Sequence, residues 1–278
     1  MTGRIDAHQH FWNPARGDYH WMPEDHPVLT RPYGPSDLAP LTTERDVARS
    51  VLVQAAATVE ETEYMLGIAD VTPSVAGVVG WIDFEQAGHA DHLERLAQHP
   101  KFLGVRPMIQ DLPDDDWMLR DDVQWAYQRI IELDLTFDAL GFPRHMANFH
   151  SVLTRYPDMR VVLDHCLKPQ IRSHSADSFA FWAEGMSRLA GETAAFCKLS
   201  GIVTECDGWS AEKLRPYVDH LLAAFGPDRI MWGSDWPVCL LEASYGDWFD
   251  AAQVLTADLS SEAQLAIFGG TAKRFYRL

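Results

Sequence analysis

Two imidazoles separated by one residue, His8 and His10 in the stretch IDAHQHFW, end the first apolar run of the chain. Side chains in a strand alternate faces, so His8 and His10 point to one side and Gln9 to the other. Two rings at that spacing can share a metal ion, an oxyanion or a water. Later apolar runs end in similar groups: Gln54, then Trp81 and Asp83, Arg106 and Gln110, Asp138, Asp164 with His165 and Lys168, Lys198 with Ser200, and Ser234 and Asp235 with Trp236. Singly, each has a plain reading: Arg106 as a salt-bridge partner, Lys198 as a core ion pair, Asp138 as a helix cap, Asp83 as a turn residue. Their joint placement is harder to ascribe to folding, because buried charge costs stability unless it is paired or functional.

The elements that must position these groups alternate in type. Eight short β-rich runs recur, at 5–12, 50–55, 75–84, 102–110, 135–142, 160–166, 195–202 and 230–238. Helical periodicity lies between them, as at 60–71, 89–97, 121–133, 176–189 and 211–225. Runs such as VAGVVGW and RVVLDHC are apolar on both faces through their first half, as a parallel sheet covered by helices requires. Eight units predict a closed (β/α)8 TIM barrel, an α/β fold that forms one domain over 1–278 and gathers its chemistry at the C-terminal strand ends. No G-x-G-x-x-G follows IDAHQH, so a dinucleotide-binding fold loses its main support. Residues 12–41, rich in Pro and aromatics, read as a loop packed over the barrel mouth and not as the first helix.

Composition sets the outer bounds. The chain has 278 residues, 47% hydrophobic and 23% charged, as suits a protein with a sizeable core. A formal charge of −17 and the lack of any basic run argue against nucleic-acid binding. No apolar run is long enough for a membrane span. Cys166, Cys197, Cys206 and Cys239 form no C-x-x-C pair, and the chain enters a His-bearing strand without a leader, so free thiols in a cytoplasmic protein are expected. Alternation turns Cys166 and Cys197 away from the face of His165 and Lys198, which makes them small core residues. Oligomeric state, including a homo-oligomer, is left open.

H-x-H on the first strand, LDH on the sixth, KLSG on the seventh and GSDWP on the eighth resemble the amidohydrolase superfamily of metal-binding barrels. The likeness covers essentially the whole chain. LDHCLKP, CKLSGIVTE, FGPDRIMWGSDWPVCLL and GVRPMIQD look closest to the amidohydrolase-related branch that holds sugar lactonases, beside pyrone-dicarboxylate and sulfomuconolactone lactonases. The resemblance implies that His8 and His10 belong to a metal or carbonyl-polarising site with His165 beside it. It implies Asp235 as the catalytic aspartate and Arg106 as a substrate-holding or electrophilic arginine. The fifth strand, LTFDALGFP, departs from the binuclear pattern by supplying Asp138 where a histidine is usual. One zinc on His8, His10 and Asp235, with water completing the site, is therefore expected in place of two. The resemblance also allows catalysis without metal.

Hydrolysis of a lactone, an activated ester, needs water, a base and a stabilised oxyanion. Asp235 is the expected base, and His8, His10, His165, Arg106 and any zinc would surround the carbonyl oxygen. Gln54, Asp83, Gln110 and Asp138 offer hydrogen bonds to hydroxyls, and Trp81 and Trp236 offer flat surfaces to a sugar ring. A dicarboxylate would need several arginines at the mouth and Arg106 is the one obvious strand-end arginine, so a neutral aldonolactone of the L-fucono or L-rhamnono type is favoured. The rivals are a zinc-dependent decarboxylase, a pyrone or muconolactone lactonase, and a sugar-binding barrel that has lost catalysis.

Overall fold

The structure, a computed structural model, describes residues 3–278. Eight parallel strands run in sequence order: β1 Arg4–Gln9, β2 Val47–Val53, β3 Val75–Gly80, β4 Phe102–Val105, β5 Thr136–Ala139, β6 Arg160–Leu163, β7 Phe196–Leu199 and β8 Ile230–Trp232. The ends meet where His8 O accepts from Asp235 N at 2.8 Å and Trp236 O accepts from His10 N at 2.7 Å. The expected (β/α)8 barrel is therefore observed, with closure carried by the backbone of the very residues proposed for chemistry.

Helices fill the intervals: α1 Pro35–Glu44, α2 Val59–Val71, α3 Ala90–Ala97, α4 Gln124–Glu132, α5 Met146–Arg155, α6 Ala176–Glu192, α7 Ala211–Phe225, α8 Tyr245–Leu255, α9 Ser261–Leu265 and α10 Thr271–Tyr276. Hydroxyl caps start several of them. Thr58, Ser175 and Ser210 each accept a backbone N–H from the first turn, at Glu61, Ser178 and Lys213. Among the described residues no helix is long and apolar enough to cross a membrane.

Two expectations change. The strands are shorter than their apolar runs, so Trp81, Asp83, Gln110 and His165 lie on turns beyond the last paired residue. The segment 12–41 is not wholly a loop, because its last part begins α1. Gly34 takes an extended N-cap conformation, Pro35 supplies a preset φ at the first helical position, and the Asp37 carboxylate accepts from Gly34 N at 2.9 Å. Pro40 inside the helix hid this start from a reading by periodicity. Ahead of it, Trp12 and Tyr33 pair antiparallel, and the Trp12 indole donates to Arg31 O at 3.0 Å. This tie lets the chain between them reach across the barrel mouth, where the Trp21 indole donates to Ala55 O at 2.6 Å.

The barrel interior is apolar at its N-terminal end. Ile5, Ala7, Val51, Val53, Val79, Val162 and Met231 pack there, and Ala272, Phe275 and Tyr276 of α10 close it like a plug. Arg160, the first residue of β6, ties the plug by donating to Phe275 O at 2.6 Å. The Tyr276 hydroxyl reaches inward to donate to Asp138 Oδ2 at 2.7 Å. All four cysteines are free and buried, as expected.

Candidate active site

Uninterrupted alternation in β1 would turn His8 and His10 away from the barrel interior that Ile5 and Ala7 fill. The pairing with β2 slips between Asp6, opposite Ser50, and Gln9, opposite Leu52. This bulge re-aims the strand, so that Ile5 and Ala7 pack below while His8 and His10 enter the site above them. The Asp6 carboxylate bridges the irregularity, accepting from His8 N at 3.1 Å and Ser234 N at 2.9 Å. Burial raises its pKa to about 6 against those hydrogen bonds. Asp6 was not singled out by the sequence reading, although its place two residues before the first histidine marked it as a polar group inside an apolar strand.

His165 and Asp235 stand on backbone that L residues seldom adopt. Residues His165, Cys166, Leu167 and Lys168 all have φ near +50°, one left-handed turn after β6, and Asp235 has φ +56°. Left-handed backbone costs about 1–2 kcal/mol per such residue, so the surroundings must impose it. The turn is held by the Trp182 indole, which donates to Cys166 O at 2.8 Å, and by Lys168 N donating to His165 O at 2.8 Å. One glycine makes room for this turn and another for His8. A Cβ on Gly201, itself at φ +63°, would strike the His165 ring, and one on Gly233 would meet His8 Cβ at 2.7 Å. Cys166 thus owes its buried position to this turn and not to strand alternation.

The functional groups meet around one carboxylate oxygen. Asp235 Oδ1 lies 3.3 Å from His10 Nε2, 3.7 Å from His8 Nε2 and 3.8 Å from His165 Nε2. The His8 and His10 rings approach each other with their Nε2 atoms 3.2 Å apart. His165 Nδ1 contacts the Ser200 hydroxyl at 3.0 Å. Arg106 places Nη1 3.4 Å from His8 Nε2 and 3.4 Å from Asp164 Oδ2, while its Nη2 donates to Gln54 O. His8, His10, Arg106, His165 and Asp235 are all buried.

Charge follows from that packing. Burial alone would push the Asp235 carboxyl up, but the imidazoles of His165, His10 and His8 outweigh it and hold the group well below the usual carboxylate range. Burial lowers His165 to about 4 despite Asp235 and Asp164 nearby. His8 is lowered well below its ordinary value by burial and by the charge of Lys198. At neutral pH the site therefore combines an ionised Asp235 with neutral His8 and His165.

An open cavity leads to these groups. Its polar lining comprises His10, Arg106, Gln110, His165, Lys168 and Asp235, and Trp21, Met108, Leu140 and Val238 supply apolar wall. Of the expected hydroxyl-binding set, Gln110 lies here. The others lie elsewhere, each for a physical reason. Gln54 turns sideways and donates to Arg106 O at 2.7 Å, bracing the arginine. Trp81 and Asp83, carried past the end of β3, line a neighbouring groove that shares Met108 with the cavity, and Asp83 accepts from Glu85 N and Gln86 Nε2 as a turn residue. Asp138 points into the barrel beneath the site, where it pairs with Lys198 at 2.5 Å. Trp236 is buried against Phe11 and Tyr33 in the outer core.

The sequence reading missed the wall contributed by Trp21, Met108, Leu140 and Val238, and it missed Glu61. The buried Glu61 carboxylate accepts from Ala55 N at 3.0 Å and Ala56 N at 2.7 Å, fixing the loop that receives Trp21. Burial raises its pKa to about 8 against those bonds. The signal was present: Thr58-Val-Glu-Glu61 is a capping-box spacing before a helix.

Among the described residues, two overlapping groups bring their ligand atoms close enough to hold a metal ion, His8 with His10 and Asp235, and His8 with Asp164 and His165. In the first, His10 Nδ1 meets the Val53 carbonyl at 2.8 Å, so its proton sits there and the Nε2 lone pair faces Asp235 Oδ1. Two acceptors facing one another at 3.3 Å suit a shared cation. In the second, Lys198 Nζ lies 3.0 Å from Asp164 Oδ1 and already neutralises it.

Comparisons with known proteins agree with this architecture. The amidohydrolase family profile matches residues 5–278. The chain is 42% identical to an L-fucono-1,5-lactonase of Burkholderia ambifaria over all of this chain and 97% of the relative, and 37% identical to an L-fucono-1,5-lactonase of Burkholderia multivorans over 99% and 96%. Among solved structures, an amidohydrolase from Burkholderia multivorans with bound zinc superposes with a TM-score of 0.92 at 36% identity, covering 99% of each chain.

Proposed function

Because this chain belongs to the amidohydrolase family, we propose that it opens the ester ring of a sugar lactone by base-assisted attack of water. The observation that carries the reading is the meeting of one ionised carboxylate, Asp235, with three imidazoles and Arg106 at the floor of a single cavity. The choice of an aldonolactone of the L-fucono type rests on full-length similarity to two L-fucono-1,5-lactonases.

In the proposed reaction, water bound beside Asp235 attacks the lactone carbonyl carbon and its proton passes to the Asp235 carboxylate. The negative charge that develops on the carbonyl oxygen is met by the Arg106 guanidinium and by His165, whose ring Ser200 orients. The ring C–O bond then breaks, and Asp235 returns its proton to the departing alkoxide. The product is an open-chain aldonic acid, which releases its carboxyl proton to solvent as the aldonate. Gln110 and Lys168 supply hydrogen bonds to substrate hydroxyls, and the Trp21 side chain covers the ring from the mouth loop. A divalent ion held by His10 and Asp235, with His8 beside it, would supply Lewis-acid polarisation of the carbonyl. We assign zinc to that role, at one ion per chain or none, since the Lys198 ammonium disfavours a second ion at Asp164. Elemental analysis of purified protein is expected to report no more than one zinc per chain, and two tightly held ions would contradict the assignment. Four free, buried cysteines support a reducing, cytoplasmic setting.

A decarboxylase is the main rival within the family. The test is a panel of sugar lactones followed by acid release beside a panel of unsaturated and aromatic carboxylic acids followed by carbon dioxide release. Acid release from the lactones alone is expected. Carbon dioxide release with inert lactones would replace the reading by decarboxylation.

A further inference from the structure

Hydrogen-bond partners decide where the protons sit on His8 and His10. His10 Nδ1 lies 2.8 Å from the Val53 carbonyl, which only accepts, so His10 carries its proton there and presents a lone pair at Nε2. Lys198 Nζ lies 3.0 Å from His8 Nδ1. The same amine sits 2.5 Å from Asp138 Oδ2 and 3.0 Å from Asp164 Oδ1, and all four side chains are fully buried. Between two carboxylates it is an ammonium, which only donates, so His8 Nδ1 is the acceptor. The proton of neutral His8 is then on Nε2, 3.2 Å from the His10 lone pair. Arg106 Nη1, 3.4 Å from His8 Nε2, has the Asp164 carboxylate as its own acceptor. The donors therefore run one way: Lys198 to His8, His8 to His10, His10 to the main chain.

A second arrangement of His8 lies close by. Asp164 Oδ1 is 3.6 Å from His8 Nδ1 and, although ion-paired to Lys198, accepts no aligned hydrogen bond. A proton moved to Nδ1 would find an acceptor there and would free the Nε2 lone pair. A metal needs that lone pair, and metal-binding histidines commonly give their other N–H to a carboxylate or carbonyl. Lys198 opposes this arrangement by facing Nδ1 with a donor.

We propose that Lys198 is a positioning residue that holds His8 as its Nε2–H tautomer, so that His8 acts as a hydrogen-bond donor in the site and becomes a zinc ligand only when the Lys198 contact is broken. The proposal concerns this chain's own residues and is independent of which lactone is turned over. It also assigns the buried Asp138 a task, since Asp138 and Tyr276 anchor Lys198 from below.

The experiment uses zinc-free protein labelled with 15N-histidine, with the His8 signals assigned by their loss in His8→Gln. Long-range 1H–15N correlation is expected to show His8 protonated at Nε2 in the wild type. In the double variant Lys198→Met, Asp138→Asn, which leaves the net charge of the buried set unchanged, His8 is expected to switch to protonation at Nδ1. Zinc affinity, read by competition with a chromophoric chelator, is expected to rise in that variant by roughly tenfold or more, within the usual range for partners of metal ligands. A wild-type His8 protonated at Nδ1 overturns the proposal, as does a folded double variant that binds zinc no more tightly than wild type. If the double variant does not fold, the wild-type spectrum decides alone.

Discussion

Asp235→Asn is expected to lower kcat on a sugar lactone by roughly a hundredfold or more, the usual scale for loss of a general base. The amide nearly matches the carboxylate in shape, and asparagine tolerates the left-handed backbone that Asp235 occupies at φ +56°. The cavity should therefore keep its form while losing its carboxylate. The carboxyl lies well below the usual carboxylate range, so wild-type Asp235 is ionised at neutral pH and can accept a proton. Steady-state rates beside a thermal melt check the prediction. A near-normal kcat in a folded variant would remove Asp235 from the role of base.

Arg106→Met is expected to reduce kcat/KM by about 10²–10³, the cost of losing one preorganised donor to a developing oxyanion. The guanidinium is buried at the cavity floor and fixed by Gln54 O and Asp164. Its position therefore requires no rearrangement as charge develops. Lysine should restore only part of the rate, because an ammonium cannot reach Gln54, Asp164 and the substrate at once from one flat group. Rates for Arg106→Met and Arg106→Lys, with circular dichroism to confirm folding, test this. Full activity in Arg106→Lys would show that charge suffices and fixed geometry does not matter.

The barrel and the catalytic cluster were legible because they rest on local rules. Eight apolar runs with helical spacing between them define the strand count, and the one-residue gap between His8 and His10 brings their rings together. The substrate-facing residues were less legible, because strand length controls them. Each apolar run predicts a strand up to its polar end, but pairing stops at Gly80, Val105 and Leu163, and the turns beyond carry Trp81 and Asp83 away from the cavity. Asp138 misled for a related reason: a buried aspartate facing a lysine from another strand gives the same sequence signal as one facing substrate. Nothing local announced the slip in β1 or the left-handed turn at His165, since both depend on neighbours distant in the chain. Trp21 reaches the cavity through a long excursion whose course no periodicity describes.

The most direct test of the account compares kcat/KM for L-fucono-1,5-lactone with that for γ-butyrolactone, by indicator-monitored acid release on the same preparation. The cavity joins Gln110, Lys168 and the Trp21 wall to the catalytic floor, and polar groups left unpaired by a substrate lacking hydroxyls are costly. The account predicts that the sugar lactone is favoured by at least about a hundredfold, and equal turnover of the two would contradict it.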